Sequence, residues 1–251
     1  MKVFIATPSY DGKPCADYTH SLLDTVRLLD RIGVEASVTY HLRDAYVHRA
    51  RNSLVRKFLA SDATDLFFID ADEGWSPDAP ARMLALPYAF VGGAYPFKSD
   101  PEDYPCSINS NDQGTPLVDP ATGCISSTML PSGFWRLKRS VFETMAPHCD
   151  WYWEGSGQTT AFFETPIVNH EWIGEDPWFC RRWLSLGGEM WLYPNIDFIH
   201  SGGKEWHGNY HEYLLRQPGG SKAAPLALDE SYLKDQDLKA EELKSLLGLA
   251  A

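Results

Sequence analysis

The stretch Asp65-Leu66-Phe67-Phe68-Ile69-Asp70-Ala71-Asp72 decides the fold of this chain. Its centre, residues 66–69, is a continuous apolar run, which is typical of a strand buried on both faces. Ligands of open α/β sheets lie outside the carboxyl ends of the strands, so Asp70 and Asp72 follow the strand where such folds bind ligands. Two carboxylates form a hard oxygen site that suits Mg²⁺ or Mn²⁺. Short Asp-x-Asp segments also occur as simple loop and helix caps, and the motif alone leaves both interpretations open.

Strand and helix patterns alternate around this stretch. We expect strands at residues 2–6, 35–40, 65–70 and 89–93, and helices at residues 17–32, 45–61 and 78–86, the last begun by Ser76-Pro77. This alternation predicts an α/β fold with a mostly parallel central sheet, right-handed crossovers and flanking helices. Neither G-x-G-x-x-G nor G-x-x-x-x-G-K-[ST] occurs, which argues against the usual dinucleotide and P-loop phosphate sites.

The second half is less regular. Residues 131–137, which begin with a turn at 131–134, precede a helix at 138–145, and residues 148–172 look like loops. Those loops contain Trp151, Trp153, Phe162, Phe163 and Trp172, which either form a sugar or base platform or cover a small β layer. A helix at 175–186 and strands at 189–193 and 196–199 follow. We expect one domain over residues 1–208, with a nucleotide-binding half (1–98) and an acceptor and metal half (99–208).

The composition of the chain argues against some classes of protein. The net charge of −12 argues against a non-specific nucleic-acid binder, which needs a basic surface. Five cysteines without C-x-x-C spacing favour a reducing compartment, and no apolar run is long enough for a membrane span. We expect a cytoplasmic protein. Residues 209–251 form a tail with an amphipathic helix that docks either on the body or on a partner, for example in a homo-oligomer.

Several short segments carry a family likeness through their order and spacing. They are Thr7-Pro8-Ser9-Tyr10, Ala50-Arg51-Asn52, Asp70-Ala71-Asp72, Pro131-Ser132-Gly133-Phe134, Gly174-Glu175-Asp176 and His200. Together they cover roughly residues 1–207, which resemble GT-A fold nucleotide-sugar glycosyltransferases, nearest to the family 2-like enzymes of bacteria and phages. The resemblance implies a nucleotide-sugar donor, with a UDP-sugar favoured, and a Mn²⁺ or Mg²⁺ ion. The acceptor is a carbohydrate or another hydroxyl compound that the sequence does not identify.

The resemblance also implies a metal site. Asp72 is expected to bind the ion directly, while Asp70 lies near the donor ribose or reaches the ion through water. His200 is the expected third protein ligand, since imidazole suits Mn²⁺, or else a structural histidine at a strand end. Lys204 lies in the Gly-rich loop after His200, where it either meets the diphosphate or is solvated.

Roles for the remaining residues follow from the same resemblance. Thr7, Pro8 and Tyr10 form the expected nucleobase pocket, with Tyr10 stacking on the base. Arg51 pairs with a phosphate or with Asp70.

Asp176 and Glu175 are the expected catalytic carboxylates. Asp176 is the candidate general base, which an inverting transfer needs to take the acceptor proton. Its place at a helix start before Pro177 also fits a structural N-cap. Inversion is favoured over retention, although the absence of Q-x-x-R-W and the Lys204 loop leave the stereochemistry open.

Two other functions remain open. A sugar-phosphate nucleotidyltransferase shares the α/β topology, but its Gly-rich basic signature after the first strand is poorly matched by residues 7–13, which contain one glycine. A non-catalytic carbohydrate-binding protein on a transferase fold is the third candidate.

Overall fold

The computed structural model describes residues 1–155, 157–217 and 236–249. The strands are β1 (Lys2–Ser9), β2 (Glu35–Leu42), β3 (Asp65–Ile69), β4 (Glu73–Trp75), β5 (Phe90–Gly92), β6 (Ser107–Ile108), β7 (Ile125–Met129), β8 (Phe134–Lys138), β9 (Trp151–Glu154), β10 (Gly157–Thr160), β11 (Ile167–Val168), β12 (Glu171–Trp172), β13 (Met190–Leu192), β14 (Phe198–Ser201) and β15 (Glu205–Gly208). The helices are α1 (Ala16–Arg31), α2 (Val47–Leu59), α3 (Ala79–Ala85), α4 (Arg139–Met145), α5 (Glu175–Ser185), α6 (Tyr210–Arg216) and α7 (Gln236–Leu246).

The central sheet has the strand order β2-β1-β3-β8-β5-β13-β7-β6. Strands β2, β1 and β3 are parallel neighbours, as are β5 and β13. Only β8 and β7 run against their neighbours in this sheet. The prediction of an α/β fold with a mostly parallel central sheet is therefore confirmed.

Strand β3 lies inside this sheet and is covered on both faces. All of its residues are buried. Leu66 and Phe68 belong to the same core cluster as the buried face of α2, while Phe67 and Ile69 belong to the cluster that includes α1. Because successive side chains of a strand point to opposite faces, a continuous apolar run satisfies both layers at once.

Strand β8 corrects the sequence prediction. The sequence predicts a turn at residues 131–134 and no strand before the helix, but Phe134–Lys138 pairs antiparallel with both β3 and β5. Only residues 131–133 remain as the turn. The pattern Phe-Trp-Arg-Leu-Lys does not look like a buried strand, because it contains an arginine. In the structure that residue, Arg136, lies inside the sheet and is 2% exposed.

The helices predicted in the first half are confirmed to within a few residues, with one corrected start. Helix α3 begins at Ala79 with Asp78 as its N-cap residue, not with Ser76. Ser76 instead continues the pairing of β4 with β14, since its amide donates to the Asp197 carbonyl (3.1 Å) and its hydroxyl accepts from the Asp197 amide (3.1 Å). No helix within residues 1–155, 157–217 and 236–249 has the length and apolarity needed to cross a bilayer.

Residues 148–172 contain strands where loops were expected. β9 pairs with β10 and β11 with β12, each as an antiparallel hairpin. The aromatic residues of this segment were expected either to form a sugar or base platform or to cover a small β layer, and the structure separates them into two groups. Phe162 and Phe163 lie in the core, whereas Trp151, Trp153 and Trp172 are exposed by more than half of their surface.

The described parts of the tail pack on the body. Tyr210 and Tyr213 of α6 each lie with ring centroids 5.0 Å from Tyr104. Ala240 and Leu243 of α7 are buried in the core cluster that includes α1 and α3. Docking on the body is thus the arrangement seen here, and a homo-oligomer stays a prediction.

A buried ion pair joins β3 to β8. Arg136 Nε lies 2.7 Å from Asp65 Oδ1, and both residues are almost fully buried. Arg136 also donates to the Tyr88 carbonyl (2.5 Å), and the Thr64 hydroxyl donates to Asp65 (2.7 Å). Burial lowers the pKa of Arg136, with Asp65 acting against that change. The partners therefore depend on each other, because removing one leaves an unpaired charge inside the sheet.

We expect Asp65→Ala to lower the free energy of unfolding by about 3–5 kcal/mol, because Arg136 loses its counter-charge. The double substitution Asp65→Leu with Arg136→Met should recover at least half of that loss. Urea unfolding of the three proteins measures both effects. A double variant as unstable as Asp65→Ala would contradict the dependence on charge pairing.

Candidate functional site

Asp70 is held by Arg51 at the carboxyl end of β3. The guanidinium of Arg51, which is 2% exposed, lies 3.1 Å from each carboxylate oxygen of Asp70. The Asp70 amide donates to the Gly133 carbonyl (2.9 Å), so the backbone here is tied to the turn before β8. Arg51 was expected to pair with a phosphate or with Asp70, and in the structure it pairs with Asp70. The Asp70 carboxylate is already neutralised by that contact.

Asp72, Glu73 and His200 form a separate cluster. One ligand atom from each lies within 4.8 Å of the others. His200 Nε2 is 3.8 Å from Asp72 Oδ2 and 3.3 Å from Glu73 Oε1. The antiparallel pairing of β4 with β14 sets His200 opposite Glu73, and the Ser201 amide donates to the Asp72 carbonyl (2.8 Å). The expected trio was Asp70, Asp72 and His200; the structure brings Glu73 to the cluster and leaves Asp70 on Arg51.

His200 presents an unprotonated nitrogen to the two carboxylates. Its Nδ1 lies 2.8 Å from the Pro96 carbonyl, which only accepts, so Nδ1 carries the hydrogen and Nε2 is a lone-pair acceptor. Burial lowers the pKa of His200 and favours the neutral ring. A histidine held through Nδ1–H by a backbone carbonyl is the usual arrangement of a metal ligand.

Glu73 is a buried carboxylate without a hydrogen-bond donor. The residue is 0% exposed, and neither side-chain oxygen has a hydrogen-bond partner among the described residues. Burial, and then the charges of Asp72 and Asp70, raise its pKa well above the ordinary range. A buried charge without a partner is strongly unfavourable. Two carboxylates and an imidazole lone pair fit a divalent cation such as Mn²⁺, which would supply the missing partner.

Sequence reasoning did not single out Glu73. The strand predicted at residues 65–70 stops before Glu73-Gly74-Trp75, but these residues form a strand of their own, β4. The only available signal was an acid directly beside the Asp-Ala-Asp motif. Glu73 matters because β4 pairs with β14, which lies more than 120 residues further along the chain. The sequence around Glu73 does not indicate this pairing.

Asp176 lies close enough to Arg51 for their charges to interact. Its Oδ2 accepts from the Ser132 amide (2.9 Å), while its Oδ1 is buried and has no hydrogen-bond partner within the described parts of the chain. Burial raises the pKa of Asp176 to about 6; Arg51 acts to lower it and Glu175 to raise it. The N-cap of α5 is Gly174, and no side chain makes a cap hydrogen bond there. Asp176 therefore does not cap its own helix, and it binds the turn before β8.

Tyr95 lies among these acids and was not predicted. Its hydroxyl accepts from the Gly133 amide (3.2 Å), and its ring meets the His200 ring edge-on at 5.0 Å. Burial raises its pKa well above the ordinary value, and nearby Asp70, Glu73 and Asp176 add to that rise. Gly133 is required at this contact, because a Cβ there would come within 2.6 Å of the Tyr95 hydroxyl.

The residues expected to hold the nucleobase lie along the end of β1. Thr7 is fully buried and its hydroxyl is 2.6 Å from the Tyr18 hydroxyl, so the structure exposes no part of this residue to a ligand. Pro8 is half-buried, and the Tyr10 ring is 70% exposed. Lys204 lies in the turn between β14 and β15, where it pairs with Asp100 and lies over Trp206 at 5.3 Å. Glu175, at the start of α5, is half-buried.

A second group of potential metal ligands comprises His41, Asp44 and Glu154. The carboxylates of this group already have hydrogen-bond partners. Arg49 donates to both carboxylate oxygens of Asp44 at 2.8 Å, and the Ser53 hydroxyl lies 2.6 Å from Glu154. This group accordingly fits a structural network better than an ion site.

Comparisons with known proteins add little. No protein-family model matches the chain, and no curated protein matches it. Among solved structures, the chain is similar to the inositol-1-phosphate CTP transferase from T. maritima, with 11% identity and a TM-score of 0.36 over 98% of each chain. At this distance the likeness carries no argument about function.

We expect Glu73→Gln to stabilise the metal-free protein at neutral pH. A carboxyl whose pKa is raised in the folded state loses stability as the pH rises above its unfolded pKa, and an amide does not. Thermal unfolding in EDTA should show a rise in Tm on the order of 2–4 °C. Saturating Mn²⁺ should stabilise the wild type and not the variant.

The exposed Glu143→Gln is the matched control and should change neither value. A Glu73→Gln protein that keeps the full Mn²⁺ stabilisation would exclude Glu73 as a ligand.

Proposed function

We propose that the protein is a metal-dependent glycosyltransferase with a GT-A fold. It transfers a sugar from a nucleotide-diphosphate donor, with a UDP-sugar favoured, to a hydroxyl of an acceptor. The observation that carries the proposal is the cluster of Asp72, Glu73 and His200. It provides a buried carboxylate, a second carboxylate and an imidazole lone pair just beyond the carboxyl end of β3, where α/β sheets bind their ligands.

In this proposal Asp72, Glu73 and His200 hold Mn²⁺ or Mg²⁺. When bound, the ion neutralises the diphosphate and so makes the nucleotide a better leaving group. His200 is kept in the required tautomer by the Pro96 carbonyl. Asp70 contacts the donor ribose, and its contact with Arg51 holds the carboxylate in place.

Asp176 takes the proton of the acceptor hydroxyl. With its pKa raised to about 6, it is mostly ionised at neutral pH and is a stronger base than an ordinary aspartate. The Ser132 amide holds one carboxylate oxygen, and the unpaired Oδ1 is free to accept the proton. Glu175 supports this role by raising the pKa of Asp176. A single base of this kind favours inversion over retention.

The donor nucleotide is proposed to lie along the end of β1. The exposed Tyr10 ring offers a face for stacking on the base, with the half-buried Pro8 nearby, while the buried Thr7 ties this end of β1 to Tyr18. Lys204 is proposed to turn from Asp100 to the diphosphate.

A sugar-phosphate nucleotidyltransferase is the alternative, since it would use the same ion and the same sheet. Its nucleophile is a phosphate oxygen, which is already ionised at neutral pH and needs no general base. The raised pKa and unpaired oxygen of Asp176 favour glycosyl transfer for this reason.

A panel of UDP, GDP, CDP and TDP, each with and without Mn²⁺, tests donor binding by thermal shift. One diphosphate should raise Tm by about 5 °C or more at a hundredfold excess over its Kd, and only with Mn²⁺. Asp72→Asn and His200→Ala should lose this effect. His207→Ala removes an exposed histidine from the strand next to His200 and should keep it. Stabilisation by none of the four nucleotides would contradict the proposal.

Asp176→Asn should keep Mn²⁺-dependent nucleotide binding and lower transfer about 10²–10⁴-fold, since the amide cannot accept a proton. UDP release from UDP-sugars with a panel of saccharide acceptors measures the rate. The wild-type rate should fall as the pH drops below about 6, where Asp176 becomes protonated. An active Asp176→Asn would exclude Asp176 as the general base. Release of pyrophosphate from UTP in the presence of a sugar phosphate, with no release of UDP from UDP-sugars, would identify a nucleotidyltransferase.

A further inference from the structure

Lys98 ion-pairs with Asp72 at the edge of the ligand cluster. Its ammonium contacts Asp72 Oδ2, the same oxygen that lies 3.8 Å from His200 Nε2. The side chain of Lys98 is 32% exposed, so solvent reaches it. Lys98 thus contacts one of the oxygens that a bound ion would use.

The path of the Lys98 side chain depends on a glycine. A Cβ on Gly202 would lie 3.1 Å from Lys98 Cδ and 2.9 Å from Trp206 Cζ3. The missing side chain lets Lys98 cross the turn between β14 and β15 to reach Asp72. Its neighbour in this region, Lys204, pairs with Asp100 and has no described contact with the cluster.

The charge of Lys98 acts on the whole cluster. It lowers the pKa of Glu73 and also lowers the pKa of His200, although burial is the largest cause at both residues. A divalent cation bound to these residues would lie close to the ammonium and repel it strongly in this partly buried setting. The ion and the Lys98–Asp72 contact therefore exclude each other.

We propose that Lys98 is an exchangeable counter-cation of this site. It neutralises Asp72 in the metal-free protein, leaves when a divalent cation binds, and then binds the diphosphate of the donor. The inference rests on the proposed function. A freed ammonium beside the ion lies next to the phosphate oxygens that the ion attracts, and lysine binds phosphate well as a mobile point charge.

The exchange also keeps the local charge in balance. Asp72 and Glu73 gain a doubly charged partner when the ion enters, and the incoming diphosphate supplies the negative charge that Lys98 then needs. Without a donor, the displaced lysine has only solvent, so nucleotide and ion should bind cooperatively.

Lys98→Met tests the inference through two affinities that should change in opposite directions. Isothermal titration without nucleotide should show Mn²⁺ binding about tenfold tighter than in the wild type, because the competing charge is gone. With saturating Mn²⁺, UDP should bind about tenfold more weakly, because a charge-assisted contact is lost. Lys98→Arg, which keeps the charge, should stay near the wild type for Mn²⁺.

The exposed Lys57→Met removes the same charge elsewhere and should leave both affinities unchanged. If Lys98→Met binds Mn²⁺ no more tightly than the wild type, or binds UDP equally well, the inference is overturned. Failure of the proposed function gives a different result. In that case the wild-type protein binds no Mn²⁺, or its Mn²⁺ affinity equals that of the Asp72→Asn variant.

Discussion

The antiparallel insertion of β8 between β3 and β5 is the constraint on which the site depends. Because β8 runs against its neighbours, the turn before it lies beside the residues that follow β3. The Gly133 carbonyl then accepts from Asp70, the Gly133 amide donates to Tyr95, and the Ser132 amide donates to Asp176. Three backbone groups of one turn thus position an acid just after β3, a tyrosine after β5 and an acid on α5.

Charge balance explains the electrostatics of this region. Asp70, Asp72, Glu73 and Asp176 meet in one partly buried volume, where Arg51 and Lys98 are the nearby cations. Arg51 neutralises Asp70 and Lys98 contacts Asp72. No lysine or arginine of the described residues contacts Glu73, whose neighbour His200 is a cation only when protonated. Burial is the main cause that raises the pKa of Glu73 well above its usual range and that of Asp176 to about 6, and the neighbouring acids add to both rises. An excess of buried acid is unfavourable in an empty protein and useful in one that binds a cation.

Most of the first half of the fold could be predicted because its signals are local. The apolar run of β3, the helical spacing in α1 and α2 and the turn residues between them each lie within about 15 positions of sequence. Strand β8 and the hairpins of residues 151–172 were missed because their strands are short and their partners lie far along the chain. Arg136 illustrates the difficulty: an arginine indicates an exposed position unless its counter-charge, here Asp65 on another strand, is known.

For the site, the sequence by itself determined the candidate groups: the acids after β3, Arg51, the Glu175-Asp176 pair and the late His200. The tertiary structure alone decided how they are paired. Arg51 forms an ion pair with Asp70, and the β4–β14 register places Glu73 opposite His200. The Ser132 amide donates a hydrogen bond to Asp176. These choices rest on contacts of a few ångströms between residues 19 to more than 120 positions apart. Residue type and local spacing specify which chemistry is available, but only packing fixes which charge lies against which.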